Sequence, residues 1–178
     1  MESDKGSGRQ APPRTPPFWR LLRRNNPNAI RAFQAGRGRN IGLVLTTTGR
    51  RSGLPRKTPL QYEELDGVIY IGSARGEAAD WYRNLLAARD VHVQIGTASY
   101  SAHAEPLARP AEVLEFLRLR MERHPFLMRM MLMAHGVPPW AADRGLHRLA
   151  ERLAAVALRD LRRLDEVGVR GTGEAPRD

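Results

Sequence analysis

The chain has 178 residues, 42% of them hydrophobic, no cysteine, and a formal net charge of +10. That length suits one domain with its own core, while the lack of cysteine excludes a disulfide framework and any thiolate metal site. No apolar run approaches the roughly 20 residues that span a bilayer, and a charge carried almost wholly by arginine, a pattern that GC-rich coding also produces, does not by itself argue for nucleic-acid binding.

In chain order, residues 1–17 are rich in Ser, Gly and Pro and lack a signal-peptide core, so they are expected to form a disordered tail. A single domain is expected over residues 18–167, with a frayed end over 168–178. Phe18 to Phe33 mixes Trp19, Leu21, Leu22, Ile30 and Phe33 with Arg20, Arg23, Arg24 and Arg31. That pattern predicts a short basic amphipathic helix broken near Asn25-Asn26-Pro27, packed on the domain or, as the second reading, lying on a membrane surface. Strands are predicted near 41–48, 56–63, 68–73, 91–96 and 99–107. Asp66-Gly67 is a strong hairpin signal and Gly96-Thr97 a weaker one. A helix is expected over about 80–89 with Asp80 as its N-cap. Pro110 opens a helix reaching Glu122, and a Met-rich helix runs from Phe126 to His135 between Pro125 and Gly136. A last helix is predicted from the spacing of Leu146, Leu149, Leu153, Val156, Ala157, Leu161 and Leu164, with Arg148, Arg152, Arg159 and Arg163 outward. Five or more short strands interrupted by a helix give a mainly β, α+β fold: a small barrel with peripheral helices and a C-terminal helical segment.

The most informative stretch is Thr46 to Leu60. It sets Arg50, Arg51, Arg56 and Lys57 around a turn bounded by Gly49 and Gly53, between two strand-like runs. Exposed turn amides can form an anion-binding nest, and arginine grips phosphate or carboxylate with two parallel bonds. A solvated hairpin tip explains the same residues equally well. Other motifs fail. Gly36-Arg37-Gly38 precedes its strand and lacks the third glycine of a dinucleotide fingerprint. None of His92, His103, His124, His135 and His147 shows the i, i+4 spacing of a helical metal site; His92 and His103 could face one barrel surface. No Gly-x-Ser-x-Gly elbow is present. Glu77 and Asp80 are the only acids near the basic turn, so no carboxylate pair supports acid–base work; that absence is compatible with an enzyme whose cofactor carries the hard chemistry.

Four segments follow one another between Asn40 and Pro106: Thr47-Thr48-Gly49-Arg50-Arg51-Ser52-Gly53, Arg56-Lys57-Thr58-Pro59-Leu60, Ser73-Ala74-Arg75-Gly76 and Trp81-Tyr82-Arg83-Asn84-Leu85. In order and spacing they resemble the deazaflavin-dependent nitroreductase family. The resemblance implies a split β-barrel of the flavin-reductase-like kind. It also implies coenzyme F420, an 8-hydroxy-5-deazaflavin with a phosphate and an oligoglutamate tail; flavin mononucleotide is the alternative cofactor. By resemblance, Arg50, Arg51, Ser52, Gly53 and Arg56 meet the phosphate or acidic tail. Thr58, Pro59 and Leu60 lie along the ring, Ser73 and Arg75 face the ring and side chain, and Trp81 and Asn84 close the pocket. Each also has an ordinary structural explanation: a core tryptophan, a bracing asparagine, an edge-strand proline, an exposed arginine.

Three departures stand out. Gly76-Glu77 replaces a Gly-Gly pair, Ala79-Asp80 stands where a proline is common, and no tyrosine follows Tyr100 where the family covers its substrate with tyrosines. Phe126, Met130 and Met133 stand there instead, in a Met-rich helix that would serve either as adaptable core or as an apolar substrate wall. The expected activity is hydride transfer to an apolar, electron-poor small molecule (a quinone, nitroaromatic or enone), in the cytoplasm or at a membrane contacted through residues 18–33. Ser73 and Tyr62 are the candidate catalytic hydroxyls. The alternatives are a non-catalytic cofactor or lipid carrier of the same fold and a basic nucleic-acid-binding barrel. The last is disfavoured, because the basic turn lacks the interleaved aromatics that stack bases.

Overall fold

Apolar alternation and turn chemistry build the central strands. In the computed structural model, which describes residues 26–37, 42–73, 75–134, 136–138 and 141–164, helix α1 (Asn26–Gln34) precedes a hairpin of β1 (Gly42–Thr48) and β2 (Pro55–Leu65). β2 turns through Asp66-Gly67 into β3 (Val68–Ser73). Both turn residues have positive φ, 51° at Asp66 and 76° at Gly67, the geometry an Asp-Gly hairpin favours. A 3-10 turn (Gly76–Ala78) leads into α2 (Asp80–Ala87), followed by β4 (Asp90–Ile95) and β5 (Ala98–Pro106). Then come α3 (Pro110–Arg123), α4 (Pro125–Ala134), α5 (Ala142–Ala150) and β6 (Ala154–Arg163). The six strands close an antiparallel barrel in the order β1-β2-β3-β6-β5-β4, as the α+β barrel expectation requires.

Two cores result. Alternate strand residues point inward: Leu43, Leu45, Ile69, Ile71, Val91, Val93, Ala102, Ala104, Val156 and Leu158 fill the barrel, and α2 adds Trp81, Tyr82 and Leu85. A second core lies outside the barrel wall. There α3, α4 and α5 pack Val113, Phe116, Leu117, Met128, Leu132, Leu146 and Leu149 against one another and against Ala155 of β6. The Phe116 ring lies so close to Gly72 that an added Cβ would approach it to 2.9 Å, so β3 and α3 meet only because that residue has no side chain.

The predicted last helix is corrected. Leu146, Leu149 and Ala150 form a buried stripe on α5 and Leu153 follows in the link after it, but Val156, Ala157 and Leu161 belong to β6, the strand that closes the barrel between β3 and β5. The run Ala154–Leu158 is buried at every position, because the barrel interior covers one face and the helical layer the other. A strand buried on both faces loses its period of two and, next to a helix, reads as more helix. Arg159, expected outward from a helix, pairs across β5 with Glu105 at 2.6 Å. Leu158 is fully buried in the barrel, so Leu158→Ala should cost about 2–5 kcal/mol, read as a lowered denaturant midpoint. A loss under about 0.5 kcal/mol, the range of surface substitutions, would mean this segment is not a core strand.

The α2 cap differs too. Ala79 occupies the N-cap with no side-chain cap bond, and Asp80 is engaged elsewhere, as described below. Helix α1 begins at Asn26 with Pro27 in its first turn and packs against β1 and β2. Gly42 receives its Phe33 ring, which an added Cβ would meet at 2.2 Å. The expectations for residues 1–25 and 165–178 lie outside the described residues. Among the described residues no helix is long and apolar enough to cross a membrane.

Candidate functional site

β2 outruns its neighbour. It pairs with β1 from Pro55 to Gln61, but with β3 only from Tyr62 to Leu65. The other edge of residues 55–61 therefore has no strand partner among the described elements. Pro59, which cannot donate to a ladder, is tolerated there for that reason. Along this edge runs a groove of about 1390 Å³, more than the roughly 300–1,000 Å³ of a single small-ligand pocket.

The groove collects most of the residues picked out by sequence. Arg50, Arg51, Ser52, Arg56, Lys57, Thr58, Pro59, Leu60, Ser73, Arg75, Trp81, Asn84, Met130 and Met133 all line it. Gly53 shapes the turn without lining the groove: its φ is +66°, and its amide donates to the Gly49 carbonyl at 2.7 Å. Two candidates lie elsewhere. Tyr62 sits in the barrel core and does not line the groove. Phe126 is 79% exposed on the far side of α4 from the buried Met128 and also lies off the groove wall. Met130 and Met133 are roughly half exposed along the wall, with Met131 between them. His92 and His103 do share one strand face, but it is the barrel exterior, where His103 Nδ1 meets Asp90 Oδ1 at 3.0 Å.

Asn84 fixes the basic turn. It is 4% exposed. Its Nδ2 donates to Thr47 Oγ1 at 3.2 Å, and its Oδ1 accepts from the Arg50 amide at 3.3 Å and from Arg50 Nη1 at 3.0 Å. Arg50 Nη2 also reaches Asp80 Oδ1 at 3.2 Å. Arg50 is thus committed to joining the turn to α2, while the side chains of Arg51, Lys57 and Arg75 have no hydrogen bond or ion pair among the described residues. Arg56 Nη2 rests on Ser52 Oγ at 3.4 Å. Glu77, the acid that departs from the family pattern, lines a separate cavity of about 410 Å³ behind Arg75.

Beyond Leu60 the groove meets charges that the sequence reading passed over. Arg120 of α3 is 7% exposed and lines the groove together with Gln61. Its Nη2 donates to Gln61 Oε1 at 2.6 Å, and its guanidinium lies 5.8 Å over the Phe116 ring. Burial pulls the Arg120 pKa down, and nearby Glu63 only partly offsets this. One signal was available: Val113, Phe116, Leu117 and Arg120 fall on one helical stripe, and a charge inside an apolar stripe is unusual.

The chain is also similar to known proteins. Residues 20–126 match the profile of the F420H(2)-dependent quinone reductase family. An F420H(2)-dependent quinone reductase of Mycobacterium tuberculosis is 34% identical over 68 residues, which make up 36% of this chain and 46% of that protein. The chain thus spans about half the length of the curated relatives it matches. A solved structure of a conserved hypothetical protein from Mycobacterium tuberculosis superposes with a TM-score of 0.51 at 17% identity, covering 76% of this chain and 85% of the other. This likeness concerns the fold.

Proposed function

The chain belongs to the F420H(2)-dependent quinone reductase family, and on that premise we propose that it is an oxidoreductase using the reduced deazaflavin to reduce an apolar, electron-poor small molecule, a quinone before a nitroaromatic or enone. The observation that carries this reading is the groove on the open edge of β2, lined both by the cations of the basic turn and by methionines of α4. When bound, the coenzyme supplies a two-electron hydride. The chain supplies binding and orientation. Arg51, Arg56 and Lys57 would hold the phosphate and acidic tail, with Arg75 beside them. Thr58, Pro59 and Leu60 would lie along the ring. Trp81 and Asn84 would close its end. The Ser73 hydroxyl lines the groove and is the remaining candidate to move a proton, since Tyr62 is inside the barrel. Met130 and Met133 would shape the acceptor's place and exclude water.

The four-cation turn exceeds what one phosphate needs. Deazaflavin should therefore bind at least about tenfold more tightly than flavin mononucleotide, with the gap narrowing as salt screens the exposed cations. Equilibrium dialysis at two salt concentrations measures both ligands. Equal or reversed preference would remove the deazaflavin reading, and quinone turnover with the reduced coenzyme then tests the activity.

A further inference from the structure

The coenzyme reading leaves one charge on the groove wall, Arg120, unused. A single carboxylate, Glu63, 3% exposed, lies 3.4 Å from Arg120 Nε, 3.5 Å from Arg123 Nη1 and 3.4 Å from His124 Nε2. One anion faces two guanidiniums and an imidazole, so the cluster carries surplus positive charge. The Arg120–Glu63 contact is close but not aligned: Arg120 Nε and Glu63 Oε1 are both buried without a hydrogen-bond partner. Of the five guanidinium donors, the contact to Gln61 Oε1 uses one. A buried charge with uncommitted donors is costly unless something meets it, and this one lines a groove.

Its place along the groove indicates what meets it. Arg120 stands beside Gln61, five residues along β2 from Arg56, or about 17 Å at the usual strand rise. The exposed cations that suit a phosphate and acidic tail are at one end, and the buried guanidinium is at the other, over the ring of Phe116, which belongs to the helical core that also holds Met128 of α4. A polyanionic tail does not need a lone buried cation among apolar side chains, but a flat apolar molecule with one polar oxygen does. Guanidinium donors also favour an anionic oxygen over a neutral carbonyl.

We propose that Arg120 is the acceptor anchor: held by Gln61 and Glu63, it binds a carbonyl or enolate oxygen of a planar apolar acceptor lying against the methionines of α4. This rests on the deazaflavin reading only for the acceptor's position beside the coenzyme. The contact itself belongs to the protein without coenzyme, where it can be measured.

The test uses two probes with the same ring system, 2-hydroxy-1,4-naphthoquinone, anionic near neutral pH, and 2-methyl-1,4-naphthoquinone, which is neutral. Both are titrated by calorimetry into the coenzyme-free full chain, and oxidised deazaflavin is titrated separately. The wild type should prefer the hydroxyquinone by at least about tenfold, and Arg120→Gln should bring the two within about threefold, as loss of a charged hydrogen bond requires. Deazaflavin affinity should stay within about twofold, because Arg120 lies far from the basic turn. Should Arg120→Gln not fold, the pair Arg120→Met with Glu63→Gln removes both charges at similar volume and should show the same collapse. A purely structural role would weaken both probes together and leave their ratio intact. No wild-type preference, or a preference unchanged in a folded variant while deazaflavin still binds, overturns the anchor. An Arg120-dependent preference in a protein that does not bind deazaflavin upholds the anchor and removes the coenzyme reading instead.

Discussion

Asn84→Ala is expected to lower thermal stability and deazaflavin affinity together. Asn84 is buried and joins three partners: the Thr47 hydroxyl, the Arg50 amide and the Arg50 guanidinium. Truncation leaves the buried Thr47 hydroxyl without that bond, a cost of about 1–3 kcal/mol. For a domain of this size each 1 kcal/mol lowers Tm by about 2–4 °C. The turn then loses its tether to α2, and Arg51 and Arg56 lose the position they need to act as a preformed site. Affinity should fall because ordering the turn must then come out of the binding free energy. Calorimetric melting and deazaflavin titration on the same preparation check this. A Tm loss with unchanged affinity would mean that the turn holds its shape without α2. Asp80→Asn should do far less, since its pair with Arg50 is exposed and such pairs contribute about 0–1 kcal/mol.

Arg51→Ala should do the opposite: large in affinity, negligible in stability. Arg51 is exposed, lines the groove and has no partner among the described residues, so the fold loses nothing by its removal. A charged hydrogen bond is worth about 1.5–3 kcal/mol, roughly a tenfold to hundredfold weaker deazaflavin complex. Arg50→Ala serves as the contrast, because that guanidinium is already bound to Asn84 and Asp80 and its loss should appear in Tm. If the tail is the partner of Arg51, the penalty shrinks for a coenzyme with fewer glutamates. An Arg51→Ala protein that melts well below wild type while binding normally would reverse the two roles.

The same contrast separates what was legible from what was not. The strands from 42 to 106 fall within a residue or two of their expected bounds, because period-two alternation and Asp-Gly and Gly-Thr turns are local signals. The basic turn was visible as a cluster of cations. Which of its cations are free was not, since Arg50 is held by Asp80 and Asn84, which lie on α2 far downstream of the turn. Tyr62 looked like an available hydroxyl because a strand sequence does not say which face turns inward until its register is set. Phe126 looked like substrate wall because it shares a helical stripe with Met130 and Met133, but it stands in the first turn of α4, off the groove that those methionines line.

By itself the sequence determined the class of fold, the place of the basic turn and the family, all of which rest on short-range spacing. Tertiary structure decided the rest. It turned the second half of an apparent helix into β6, because a strand covered on both faces carries no periodicity of its own. It opened the groove, because β2 is longer than the β3 ladder that should have covered its edge. It also brought Glu63 of β2 within ion-pair distance of Arg120, Arg123 and His124 of the α3–α4 corner. No local pattern links residues so far apart, because contacts of that range exist only once the helical layer has packed on the barrel.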